Sequence, residues 1–215
     1  MAKNYYISDL HLLHNNCLKF DNRPFSSMEE MMGYIKENWN YKITNADTVY
    51  ILGDISLRKT NEELISYVAN LKGKKVLVKG NHDNMSDYRY AQLFDEIVDY
   101  KEITDTDGNG NNLHLILSHY PIFSWKNMGR GWILLHGHVH ESDEERYFYE
   151  ALENMYERDQ EEAKEKYSEN KIMPRLRYSK RPIAINVGCM KSYINYIPRT
   201  LEELLENYEE RKGED

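Results

Sequence analysis

Short, nearly continuous apolar runs along this chain stop abruptly at polar residues, and the stops recur. Asn4-Tyr5-Tyr6-Ile7-Ser8, Thr48-Val49-Tyr50-Ile51-Leu52, Lys75-Val76-Leu77-Val78-Lys79, Leu113-His114-Leu115-Ile116-Leu117 and Trp132-Ile133-Leu134-Leu135 are rich in β-branched and aromatic residues. Runs of this kind, without strict polar alternation, predict strands buried on both faces. Ile183 to Val187 predicts a closing strand. Helical spacing fills the gaps. Ser26-x-x-Glu29 predicts a capped helix to Tyr41, with Met28, Met31, Met32, Ile35 and Trp39 on one side. Thr60-x-x-Glu63 opens a second, carrying Leu64, Tyr67, Val68 and Leu71 and stopping before Gly73. Thr200-x-x-Glu203 opens a third, with Leu201, Leu204 and Leu205. Strand and helix alternate through the first half, while the second half is mostly strand with turns such as Asp107-Gly108-Asn109-Gly110. Periodicity alone assigns the α/β class and nothing finer.

The polar stops carry the chemistry. They read Asp9-Leu10-His11, Gly53-Asp54, Gly80-Asn81-His82-Asp83, Ser118-His119 and Gly137-His138-Val139-His140. Each lies at the C-terminal end of its apolar run, the edge where open α/β sheets build their sites. Oxygen and nitrogen donors without thiolate suit divalent cations such as Mn²⁺, Fe²⁺ or Zn²⁺. In extended backbone a spacing of two puts Asp9 and His11, and likewise His138 and His140, on one face, so that each pair can grip one metal. Each fragment alone has a bland reading. Gly-Asp is uninformative, Asn-His-Asp suits an ordinary turn, and a His-x-His pair serves a structural role or a single Zn²⁺ as well. The signal is their order.

Taken together, D-x-H, G-D, G-N-H-[DE], H and G-H-x-H resemble the calcineurin-like metallophosphoesterase superfamily, with every ligand position intact over residues 5–140 and the final strand near 183–188. The opening Tyr5 to His11 and the stretch Phe20-Asp21-Asn22-Arg23-Pro24-Phe25 resemble a branch of small, single-domain predicted phosphoesterases. The resemblance implies a four-layer α-β-β-α sandwich of two mixed sheets. It also implies two divalent metal ions (Mn²⁺ first, with Fe²⁺, Zn²⁺ or a mixed pair as alternatives) and attack on phosphate esters by a metal-bridging hydroxide. A carboxylate must hold the two cations together, and Asp54 is the candidate. By the same resemblance Asp9, His11 and His140 join it at one metal, and Asn81, His119 and His138 at the other. Small members of the family are often phosphodiesterases, so diesters are the expected substrates.

Other residues are read beside that frame. His82 follows a ligand directly and is expected to be a free imidazole that contacts the phosphoryl group and protonates the leaving oxygen. Asp83 is expected to orient it. Asn81 is expected to touch substrate as well as metal. His14 and Arg23 are candidate phosphate contacts, since a guanidinium clamps phosphate oxygens bidentately; Arg58 is more readily an exposed salt bridge. His114 and His136 are read as non-ligands. Phe123, Trp125 and Trp132 suit core or rim packing better than a nucleobase pocket, and Cys17 and Cys189 are read as small buried residues.

Composition narrows the picture further. The 215 residues fit a single domain. With 28 Lys and Arg against 36 Asp and Glu, the net charge is −8, so no overall basic field favours nucleic acid or an anionic membrane. Two cysteines without Cys-x-x-Cys spacing argue against a disulfide framework. Ala2-Lys3-Asn4 enters the first strand directly and no run approaches membrane-spanning length, so a soluble, cytoplasmic protein is expected. Residues 141–182 break the α/β alternation. Helical spacing through Tyr147, Phe148, Ala151, Leu152, Met155 and Tyr156 leads into a charged run and then the basic stretch Lys171 to Arg181. A solvated helical insertion is the simplest reading; a lid, a protein-docking arm or a nucleic-acid contact are the alternatives. A non-catalytic interaction module is the competing function, and the intact ligand set argues against it.

Overall fold

The computed structural model describes residues 2–57, 60–171 and 174–212. β1 (Asn4–Ile7), β2 (Thr48–Ile51), β3 (Lys74–Val78) and β4 (Glu96–Val98) form one sheet in that order, every pair parallel. Parallel neighbours need crossovers, which α2 (Met28–Lys42), α3 (Glu62–Ala69) and the short α4 (Tyr88–Ala91) supply; α1 (Cys17–Phe20) precedes α2. β5 (Lys101–Thr106), β6 (Asn112–Leu117), β7 (Ile133–His136) and β8 (Ile183–Asn186) form a second sheet. There β5 and β6 pair antiparallel through the turn at 107–111, and the other pairs are parallel. The mixed character thus belongs to the second sheet; beside the first lies only an antiparallel bridge between Tyr6 and Arg199, among the described residues. A parallel bridge between Ser8 and Gly188 ties the end of β1 to the segment after β8.

The strand period sorts the core. Leu115, Leu117, Ile133, Leu135 and Ile185 face a large cluster shared with β1, β2, β3 and the apolar faces of α2, α3 and α6 (Leu201–Lys212). The alternate residues Ile116, Leu134 and Ala184 face a second cluster with Phe148 and Leu152 of α5 (Asp143–Asn170). Helices therefore cover the outer faces of two packed sheets, the expected four layers. The N-terminal part of the 141–182 segment is built into that outer layer, whereas α5 is largely exposed beyond Gln160.

All five residues placed on the inner face of α2 are its buried residues. Its cap lies one residue later than expected. Ser27 accepts the Glu30 N–H, and the Glu30 carboxylate accepts the Ser26 N–H at 2.7 Å. Asn61, not Thr60, caps α3 by accepting the Leu64 N–H. The Thr200 box forms as read, with Glu203 accepting the Thr200 N–H at 2.8 Å.

Candidate metal centre

Every polar stop lands at the C-terminal edge of its strand: Asp9 and His11 after β1, Asp54 after β2, Asn81 to Asp83 after β3, His119 after β6, and His138 and His140 after β7. The backbone that delivers them is unusual. Asp9, His11, Asp54, His138 and His140 all have left-handed φ, between 46° and 71°, a region that costs a non-glycine residue about 1–2 kcal/mol. The paired ligands are therefore not extended, as the spacing argument assumed. Asp9 and His11 do meet in one group, but His138 and His140 part into two.

Hydrogen bonds between loops hold this geometry. Asp9 N–H donates to Gly53 O at 3.0 Å, His11 N–H to Asp54 O at 3.0 Å, and Gly137 N–H to His119 O at 2.9 Å. The His138 N–H donates to the Asp9 carboxylate at 3.1 Å. Close approach also requires small residues, since a Cβ at Gly80 would run into the Asp54 carboxylate and one at Gly137 into Asp9 and Ser8.

Two groups of donors result, Asp9 with His11 and His140, and Asp54 with His119 and His138, each with its atoms within 4.8 Å of one another. His11 Nε2 and His140 Nε2 lie 3.1 Å apart, and His119 Nε2 lies 3.2 Å from His138 Nδ1 and 3.1 Å from Asn81 Oδ1. Asp54 Oδ2 sits between the groups, 3.6 Å from His119 Nε2 and 4.0 Å from His11 Nε2. Buried ring nitrogens and carboxylate oxygens converging on two adjacent points form a donor set that fits two divalent cations. His11 Nδ1 is buried with no hydrogen-bond partner among the described residues.

Electrostatics follow from burial and pairing. Burial pushes His11 down to about 3 and His138 down as well, keeping both imidazoles neutral. Burial would do the same to His140, but Asp21 and Asp9 raise it to about 9. Burial likewise opposes ionisation of Asp9, yet its hydrogen bond with His140 and then the electrostatic influence of His119 hold it down at about 2.

Two expected roles change, and one residue acquires a role. Arg23 does not reach the cleft. Its side chain is fully buried, donating to Leu10 O and Asp9 O at 2.9 Å and to Asp21 at 2.7 Å, and so fixes the ligand loop from behind. Asp83 does not orient His82. Its carboxylate accepts the N–H groups of Asp54, Ile55 and Gly80 at 2.8–3.0 Å, stapling the β2 and β3 loops together. Asp21, which sequence reasoning missed, accepts from His140 Nδ1 at 2.7 Å and sets that ring's tautomer. Its only signal was its place in the Phe20–Phe25 stretch.

The remaining residues fall more simply. The His82 side chain is 40% exposed, with Nε2 4.0 Å from Asp54 Oδ2, and its backbone N–H is anchored to Asp54 Oδ1 at 3.0 Å. The half-buried His14 ring lies 6.5 Å from that of His11. Arg58 lies outside the described residues. Neither His114 nor His136 belongs to either donor group: His114 stacks on Trp132, while His136 is buried against Gly137 O and the Tyr149 hydroxyl. Trp125 is buried in the cluster under α5, and Cys17 and Cys189 are free and fully buried. A cleft of about 670 Å³ opens beside His140 and His138, one member of each group, and is lined also by Phe20, Glu141, Asp143 and Glu144 among others.

A family model described as calcineurin-like phosphoesterase matches residues 5–212, and the chain belongs to that family. An uncharacterised protein of Methanocaldococcus jannaschii is 34% identical over 148 residues, covering 68% of this chain and 74% of the relative. The gene 66 protein of Mycobacterium phage D29 is 29% identical over 162 residues, covering 65% and 79%. A solved protein of unknown function from Aquifex aeolicus shares the fold, with a TM-score of 0.61 at 24% identity over 96% of this chain and 100% of that one. No helix among the described residues is long and apolar enough to cross a membrane.

Proposed function

We propose that this phosphoesterase is a two-metal hydrolase acting on phosphodiesters. The observation that carries the reading is the position of Asp54, one carboxylate within reach of both donor groups. Asp9, His11 and His140 would hold one cation and Asn81, His119 and His138 the other, with Asp54 within reach of both. When bound, such a pair supplies Lewis acidity at the phosphoryl oxygens and makes a water acidic enough to attack near neutral pH. Mn²⁺ is our first choice.

The chain's own groups do the rest. His82, anchored by its backbone to Asp54 and exposed at the mouth, protonates the departing oxygen. The Asn81 amide N–H steadies a phosphoryl oxygen, and His14 offers a lateral contact beside His11. The diester preference rests on charge. A diester brings one negative charge and a monoester up to two, yet Arg23, the expected clamp, is turned inward and the cleft rim carries Glu141, Asp143 and Glu144. Chelated protein should be inactive and regain activity with Mn²⁺, with kcat/KM higher for bis(p-nitrophenyl) phosphate than for p-nitrophenyl phosphate. The reverse preference would contradict the diester assignment.

One observation favours a nuclease as the second reading. A groove of about 610 Å³ is lined by Arg130, Arg175 and Arg177, a basic surface that could follow a nucleic-acid backbone. Its test is salt-dependent binding of single-stranded oligonucleotides, lost in Arg175→Ala/Arg177→Ala.

A further inference from the structure

Two aromatic rings stand exposed against the metal-ligating imidazoles, one at each donor group. Phe20 ends α1 with about half of its surface exposed. Its ring lies 6.0 Å from His140, at an interplanar angle of 30°, and 6.4 Å from His11. Tyr120 follows His119 directly, is 46% exposed, and its ring lies 4.6 Å from His138 and 5.0 Å from His119. Large apolar side chains stay in water at a cost unless something covers them, and neither ring is needed for the core, which closes beneath the ligands.

We propose that Phe20 and Tyr120 are specificity-determining platforms on which flat, ring-bearing groups of the substrate stack, one flanking each side of the scissile phosphate. This rests on the diesterase reading and deepens it. A diester carries a group on either side of its phosphorus, and the two rings flank the centre in the same sense. Aromatic faces accept any nucleobase or aryl group, since every such ring offers a π-face. The acidic rim of Glu141, Asp143 and Glu144 beside Phe20 adds a charge filter. The occupant there is a neutral or cationic ring and carries no further phosphate. The substrate class is therefore a dinucleotide-like or aryl phosphodiester, and nucleoside polyphosphates are disfavoured.

The test compares thymidine 5′-(p-nitrophenyl phosphate) with methyl p-nitrophenyl phosphate. Both release the same nitrophenolate, so differences in leaving group cancel. In the Mn²⁺-loaded wild-type protein, KM for the thymidine ester should be about tenfold lower. Tyr120→Leu and Phe20→Leu should together erase most of that ratio by raising KM rather than lowering kcat. Metal content by elemental analysis should hold, and Phe20→Trp should restore the ratio. The Kd of thymidine 5′-monophosphate, by calorimetry, should weaken in the same order. An unchanged ratio in both leucine variants overturns the platforms and leaves the diesterase reading standing. Equal losses on both esters with metal released also overturn them, because the rings then merely shield the ligands. If neither ester is hydrolysed by wild type, the diesterase reading itself fails and the platforms fall with it.

Discussion

Behind Asp9, His11 and His140 stands a chain of buried side chains, in which Arg23 grips two backbone carbonyls and Asp21, and Asp21 holds His140. Ser8 donates to Asp9 at 2.6 Å from another side. Behind Asp54, His119 and His138 the support is backbone. His119 Nδ1 donates to Leu52 O at 2.8 Å, and Asp83 collects three N–H groups from the loops that carry Asp54 and Asn81. The difference teaches where each half is vulnerable. One depends on a few side chains with fixed tautomers and charges, the other on the mutual register of two loops.

Asp54 lies within reach of both donor groups, so its loss should have the largest effect. Asp54→Ala should lower occupancy at both sites and hydrolysis by about a thousandfold or more. Elemental analysis showing one site still full would separate the halves completely. The His82 side chain supports neither half. In His82→Ala both metals should remain while hydrolysis falls by about 10²–10⁴-fold for an alkyl leaving group and much less for nitrophenolate. Loss of a metal with equal slowing of both substrates would make His82 a ligand.

Smaller changes sharpen the contrast. Asp21→Asn should weaken metal affinity about 10–100-fold at the first site only, since it disturbs only the His140 side of the centre. Asp83→Asn keeps its shape but presents an amide to a backbone N–H, which should cost about 1–3 kcal/mol of stability in a denaturant titration. It should also loosen the second site before the first. Identical metal titrations for the two variants would erase the distinction. The smallest effect is expected far from the centre. Replacing residues 162–173 with a short Gly-Ser link should leave metal content unchanged, because α5 packs against the sheet through Phe148 and Leu152.

The parts of the molecule legible in sequence are those whose signal is local. Buried parallel strands announce themselves as apolar runs, and the ligands follow them directly. β4 and β5 were not seen. Both are edge strands, and Lys101–Thr106 has a single apolar residue, Ile103, among charged and polar ones. The left-handed ligand backbone was hidden because aspartate and histidine, not glycine, occupy it. Arg23 was misplaced for a related reason. A guanidinium reads as a surface group, and only the fold brings it under Asp9 O, Leu10 O and Asp21. Asp21 meets His140 across 119 residues of chain, a distance no local pattern spans.

The central claim is that two cations share Asp54. Titrating chelated protein with Mn²⁺, while recording bound metal by elemental analysis and hydrolysis of bis(p-nitrophenyl) phosphate in the same samples, tests it most directly. The account predicts that activity tracks the second equivalent and levels off at two metals per chain. Full activity at a binding plateau of one metal per chain would contradict it.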